Sequence, residues 1–136
     1  MRIQGLQKLT LLDYPGRTAC TVFLSGCNFR CPFCHNAPLL QGDTGDAMDE
    51  DALLMFLKKR QGVLDGVAIT GGEPLLHKDL PSFLEKVRAL GFMIKLDTNG
   101  TFPERHCRGI GMGVRKMKKR HLMARCLFVS KTALCR

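Results

Sequence analysis

The chain has 136 residues, 45% of them hydrophobic, and a formal net charge of +9. That length suits one domain but falls short of the about 200 residues or more that a closed α/β barrel needs, and the apolar share argues against wholesale disorder. No apolar run approaches the ~18 residues of a membrane span, and charged and polar residues interrupt MRIQGLQKLTLLDYPG, so it does not read as a signal peptide. The expected setting is the cytoplasm, with no membrane partner. In that reducing compartment clustered cysteines bind metal or do chemistry more often than they form disulfides.

The charge is unevenly spread. Residues 1–103 carry 11 Lys/Arg and 11 Asp/Glu, whereas residues 104–136 carry 10 Lys/Arg against Glu104 alone. The composition breaks near Pro103, which divides the chain into a core, 1–103, and a basic tail, 104–136.

Residues 18–24, TACTVFL, are β-branched and apolar and follow the turn signal Asp13-Tyr14-Pro15-Gly16. They predict a buried strand, with residues 2–11 as an antiparallel partner. A long loop from Ser25 to about Met48 comes next, and loops of that length are usually functional or disordered. A helix begins near Asp49-Glu50-Asp51, where acids suit the positive end of its dipole, and Leu53, Phe56 and Leu57 share one face. Gly66–Thr70 predicts a second buried strand. A second helix takes Asp79 as N-cap, has Pro81 in its first turn and stops at Gly91, with Leu80, Phe83, Leu84, Val87 and Leu90 as its apolar stripe. Phe92–Leu96 predicts the third strand.

Strand, helix, strand, helix, strand predicts a parallel sheet with right-handed crossovers. Functional residues of such sheets gather at the carboxyl ends of the strands. Each of these ends carries a conspicuous motif: Cys27-Asn28-Phe29-Arg30-Cys31-Pro32-Phe33-Cys34, then Gly71-Gly72-Glu73-Pro74, then Asp97-Thr98-Asn99-Gly100. Parallel strands would bring all three to one rim.

Thiolates spaced C-x3-C-x2-C suit zinc or an iron–sulfur cluster. Structural zinc takes four ligands, and His35, adjacent to Cys34, is an awkward fourth. Three thiolates on a cubane would leave one iron open to an outside ligand. The spacing alone leaves both metals open. Gly-Gly-Glu-Pro reads either as an ordinary turn with Glu73 in solvent or as close backbone approach to a ligand. Asp97 could hold a cation, bond a sugar, or cap a turn. Cys20 reads as core, and Cys107, Cys126 and Cys135 fall in the tail. The plainer readings are that His35 and Asn36 shape the loop, His77 lies on the surface, Tyr14 is structural and Arg30 is a solvated charge.

Together, in this order and spacing, the motifs resemble the radical S-adenosylmethionine (SAM) superfamily, whose cluster motif is C-x3-C-x-aromatic-C and whose second hallmark is GGEP. More closely, TLLDYPG, FLSGCNFRCPFCHN, ITGGEP and KLDTNG resemble activating enzymes of glycyl-radical enzymes, those of anaerobic ribonucleoside-triphosphate reductase nearest. The resemblance runs from about residue 1 to Thr101. It implies the first half of a partial (β/α)6 barrel and a [4Fe–4S] cluster on Cys27, Cys31 and Cys34. It implies SAM, with Phe33 near the adenine and Gly71, Gly72 and Glu73 receiving the methionyl amino group. Asp97 and Thr98 would lie near the SAM carboxylate, where a monovalent cation binds. The implied partners are a glycyl-radical enzyme, anaerobic ribonucleotide reductase first, and an electron donor such as flavodoxin or ferredoxin. A small-molecule enzyme resembling 7-carboxy-7-deazaguanine synthase is the alternative within the superfamily.

The tail does not resemble the corresponding part of that family, which continues with further βα units. It reads as a truncated or out-of-frame end, or as a basic extension for nucleic acid or an acidic partner, with Val114–Val129 as a candidate basic helix. Truncation would leave the third strand an unpaired edge and this chain a weak catalyst. A zinc module with a nucleic-acid-binding tail is the reading from outside the enzymes.

Overall fold

The computed structural model describes residues 1–41 and 47–102, and the backbone of 114–116. Strand β1, Ile3–Thr10, runs antiparallel to β2, Ala19–Leu24. Helix α1, Glu50–Lys58, crosses to β3, Gly66–Gly71, and helix α2, Leu80–Ala89, crosses to β4, Met93–Leu96. A short strand β5, Val114–Lys116, completes a sheet of order β1-β2-β3-β4-β5, parallel from β2 onward.

The β1–β2 hairpin turns at the Asp13–Gly16 signal. Arg17 N donates to the Tyr14 carbonyl at 3.1 Å, and Gly16 takes φ 74°. The Thr21 hydroxyl donates to Asp13 Oδ2 at 2.6 Å, which ties the turn to the sheet. Tyr14 is buried, as a structural residue should be.

Alternation along the strands sorts two faces. Cys20, Val22 and Leu24 of β2, Val67 and Ile69 of β3, and Ile94 and Leu96 of β4 enter the core cluster. There they meet Leu53 and Leu57 of α1 and Leu80, Phe83, Leu84 and Val87 of α2. Each such side chain contributes about 1.5–3 kcal/mol when fully buried, so this layer carries the fold. Phe56 is only partly buried, and Arg60 lies 5.5 Å over its ring. The other sheet face carries Thr21, Thr70 and Lys95, all buried.

Three expectations need correction and a fourth a refinement. The third parallel strand, β4, is not an unpaired edge: Ile94, Lys95 and Leu96 pair with Val114, Arg115 and Lys116. Those residues extend as strand rather than opening a basic helix, and the rest of that stretch lies outside the described residues. Asp79 does occupy the N-cap of α2 as expected, and only the side-chain capping bond is missing, its carboxylate lying 3.8 Å from the chain's amino terminus. His77 is half-buried rather than at the surface, with Nε2 2.9 Å from the Ser25 carbonyl.

The loop after β2 is better organised than a bare connector. Gly26 N donates to Leu39 O at 2.8 Å, closing the loop at its base, and Ala37–Gln41 form a 3-10 turn. Met48 then bridges back to Ile3, its N donating to Ile3 O at 2.7 Å.

Candidate cluster and cofactor site

Three loops meet at the carboxyl rim, as parallel strands require. Cys27, Cys31 and Cys34 all lie on the closed loop after β2 and are partly exposed. Cys34 N donates to Cys31 O at 3.1 Å, which turns the chain between those two. Arg30 Nη1 donates to the carbonyls of Cys27 at 2.7 Å and Phe29 at 3.0 Å, so this guanidinium, still exposed to solvent, folds back over the loop.

Gly-Gly-Glu-Pro packs directly on this loop. Gly72 N donates to Leu24 O at 2.9 Å and Glu73 N to Gly26 O at 2.8 Å. A Cβ on Gly71 would overlap the Leu24 backbone, and one on Gly72 would overlap Gly26. Gly71 also takes φ 118°, which side chains rarely adopt. The close approach that the glycines permit is therefore to the chain's own backbone. Asn36 Nδ2 donates to Gly71 O at 3.1 Å, so Asn36 does shape the loop.

Glu73 is wholly buried, which overturns the solvated reading. Its carboxylate accepts from Leu75 N at 3.0 Å, Thr98 Oγ1 at 2.7 Å and Asn99 N at 2.6 Å. A buried carboxylate holds its charge only where such donors replace water. Glu73 thereby ties the loop after β3 to the loop after β4.

The third loop closes the circle. Asn99 Nδ2 donates to Asn28 Oδ1 at 2.9 Å and lies 4.0 Å from Cys27 Sγ. Asn99 Oδ1 accepts from Thr101 N at 3.1 Å and Thr101 Oγ1 at 2.7 Å, and Asn28 Nδ2 donates to Thr101 Oγ1 at 2.9 Å. Asp97 is buried and pairs with Lys95, whose Nζ lies 3.0 Å from Oδ1 and 3.3 Å from Oδ2. Phe33 is 67% exposed on the cysteine loop.

Among the described residues no three His, Cys, Asp or Glu side chains converge on a single metal ion. In a cubane each thiolate binds a different iron, so cluster ligands need not converge on one point. Among the described residues the thiol donors are three on one loop, with Cys20 remote in the core, its thiol pushed up to about 11 by burial. The three loop cysteines fit three corners of a cluster better than a four-ligand zinc.

Asn28, Asn99 and Thr101 carry no functional signal in the motifs themselves. Asn-Gly alone marks a generic turn, and Gly100 does turn, at φ 81°. The signal for Lys95 was legible: a charge inside an apolar strand, two residues from Asp97, shares its face.

The profile of the radical SAM superfamily matches residues 21–115. The chain belongs to that superfamily. A protein of Methanocaldococcus jannaschii, provisionally named a glycyl-radical enzyme activating enzyme, is 36% identical over 107 residues, covering 75% of this chain and 42% of its own length. The 7-carboxy-7-deazaguanine synthase of Halobacterium salinarum is 36% identical over 99 residues, covering 73% of this chain and 36% of its own. Among solved structures, QueE from Escherichia coli superposes with a TM-score of 0.54 at 26% identity, covering 74% of this chain and 52% of QueE. The chain thus spans less than half the length of these curated relatives.

The superfamily implies a [4Fe–4S] cluster and SAM, and its members are enzymes. No helix among the described residues is long and apolar enough to cross a membrane.

Proposed function

We propose that this chain carries the cluster- and SAM-binding part of a glycyl-radical enzyme activase. The observation that carries the reading is a single one: three cysteines on one closed loop, clasped between the Gly-Gly-Glu-Pro loop and the Asp-Thr-Asn-Gly loop. In this reading Cys27, Cys31 and Cys34 hold a [4Fe–4S] cluster. Bound there, such a cluster would supply the one-electron chemistry for reductive cleavage of SAM.

The chain's own residues bind and orient. Gly71 and Gly72 bring backbone polar groups beside the cysteine loop for the methionyl amino group. Glu73 holds those groups in place through Thr98 and Asn99. Phe33, exposed on the loop, is free to stack on the adenine. Asp97 and Thr98, at the end of β4, lie on the rim where the carboxylate of SAM is expected.

The partner in this reading is a glycyl-radical enzyme, anaerobic ribonucleoside-triphosphate reductase first, with flavodoxin or ferredoxin as electron donor. Support comes from the relative named for that activity and from the TLLDYPG and KLDTNG likeness. The 7-carboxy-7-deazaguanine synthase relatives and the QueE likeness favour a second reading, a small-molecule radical enzyme.

Anaerobic reconstitution with iron and sulfide analysis tests the cluster. Full loading of a variant with Cys27, Cys31 and Cys34 all changed to Ala would sink it. Electron paramagnetic resonance on the loaded chain mixed with the reductase separates the two enzyme readings: a glycyl radical supports the first, and turnover of a small molecule without one supports the second. Zinc without iron, together with salt-sensitive binding to DNA or RNA, would point instead to a nucleic-acid module.

A further inference from the structure

Strand β4 places a lysine in an apolar run. Lys95 stands between Ile94 and Leu96 and is 7% exposed. Lysines are almost never buried so deeply without a partner. Ile94 and Leu96 enter the core under the helices, so alternation turns Lys95 and Asp97 to the opposite face. There the ammonium meets both oxygens of Asp97, at 3.0 Å and 3.3 Å, and both side chains are at least nine-tenths buried. Oδ1 meets the ammonium as an ion pair, without hydrogen-bond alignment.

This is the corner where the family resemblance implies a monovalent cation, held by Asp97 and Thr98. The described residues at this corner do not fit one. Asp97 already has a cation beside it. A second positive charge in the same buried corner would face the ammonium with little solvent to screen it. The other oxygens are also engaged. Thr98 Oγ1 gives its proton to Glu73 at 2.7 Å and accepts from Gly100 N at 3.1 Å. The Glu73 carboxylate takes three donors from the chain itself. A hard cation needs several free oxygen ligands, by analogy with other hard ions, and this corner has spent most of its own.

We propose that the Lys95 ammonium stands in place of the monovalent cation, so that this chain organises the Asp97 corner and binds SAM beside it without potassium or sodium. The inference rests on the radical SAM reading, and its decisive arms use the chain without a cluster.

Thallous ion, a spectroscopic stand-in for potassium, is titrated into the full apo chain and followed by thallium NMR. In parallel the chain is melted in potassium chloride and in choline chloride at matched ionic strength. The wild type is expected to show no saturable thallium site and the same melting temperature in both salts. Lys95→Met keeps the length and removes the charge. It is expected to gain a saturable site and, once cluster-loaded, to bind SAM about tenfold more tightly in potassium than in choline. Lys95→Arg should behave as wild type. Saturable thallium binding by the wild type overturns the proposal, and so does a folded Lys95→Met without potassium dependence. If Lys95→Met fails to fold, the wild-type titration decides alone. A chain that loads no cluster would sink the proposed function and still leave the thallium result standing.

Discussion

Gly72 and Gly26 touch backbone to backbone: a Cβ on Gly72 would overlap the Gly26 carbonyl and come within 3.3 Å of Cys27 Cβ. The start of the cysteine loop is therefore seated on the Gly-Gly-Glu-Pro turn. Gly72→Ala must push backbone against backbone, and overpacking of this kind costs typically about 1–3 kcal/mol. Gly100→Ala is the control. Gly100 has φ 81° and no described residue within 4 Å of an added Cβ, so conformational strain of about 1–2 kcal/mol is the expected cost. Urea midpoints and iron content after reconstitution should separate them, Gly72→Ala losing both and Gly100→Ala losing stability alone. Wild-type iron loading in Gly72→Ala would show that the seating is not needed.

Glu73→Gln keeps the shape and removes the charge. The native carboxylate accepts three hydrogen bonds, from Leu75, Thr98 and Asn99. A glutamine amide must turn its NH2 toward at least one of those donors. An unsatisfied buried group of this kind costs about 1–3 kcal/mol, whereas a solvated glutamate would change stability by no more than about 0.5 kcal/mol. The denaturation midpoint thus reads burial directly, and an unchanged midpoint would return Glu73 to the surface.

The architecture was legible where a pattern repeats. The β2, β3 and β4 runs are apolar and bounded by turn residues, and the helices carry their stripes, so both crossovers and the motif rim followed from element order. What remained hidden depends on meetings between distant residues. Glu73 reads as a charge near a turn, and only the fold brings Thr98 and Asn99 to it. Asn99 likewise looks like half of an Asn-Gly turn until Asn28 arrives from the other side of the sheet rim. The pairing of β4 with Val114–Lys116 had no signal, because three residues inside a basic tail show no periodicity.

Cys20 should stand apart from the loop cysteines in reactivity. Burial pushes its thiol up to about 11 from 9.0, so it stays protonated and shielded at neutral pH. The folded value is the higher one, so the unfolded chain ionises first. The associated stability is complete below about 9 and is lost as pH climbs through about 11. Brief iodoacetamide treatment of the apo chain at pH near 8, read by peptide mass, should label Cys27, Cys31 and Cys34 and spare Cys20 until urea is added. Early labelling of Cys20 would contradict its burial.

The far end of the sheet has its own pH-sensitive tie. Asp65 Oδ2 accepts from Thr18 N at 2.9 Å and Thr18 Oγ1 at 2.8 Å, and those bonds, with Arg17 nearby, hold its carboxyl below 3.8. A depressed folded value contributes stability above the unfolded pKa, and that contribution fades as pH falls through the folded one. Asp65→Asn should therefore melt lower than wild type at pH 7, with the gap narrowing below about pH 4. A gap that stayed constant with pH would assign the loss to packing.

Asn99 offers the sharpest separation of site from fold. Its amide donates to Asn28 at 2.9 Å beside Cys27, and its oxygen takes two bonds from Thr101. These contacts are partly exposed, so Asn99→Ala should cost stability only at the low end of about 0.5–1.5 kcal/mol per bond. The cysteine loop, however, would lose the Asn99 half of its clasp to the loop after β4 and keep only the Asn28–Thr101 bond, while its base at Gly26 and Leu39 stays closed. Asn99→Asp keeps the acceptor for Thr101, loses the donor to Asn28, and brings a negative charge toward a thiolate. In reconstituted protein challenged with an iron chelator, cluster loss should be several-fold faster in Asn99→Ala than in wild type and faster again in Asn99→Asp. Melting curves of the two apo variants should stay close to each other. Equal chelation rates in all three proteins would remove Asn99 from the cluster loop's support and leave it a turn residue.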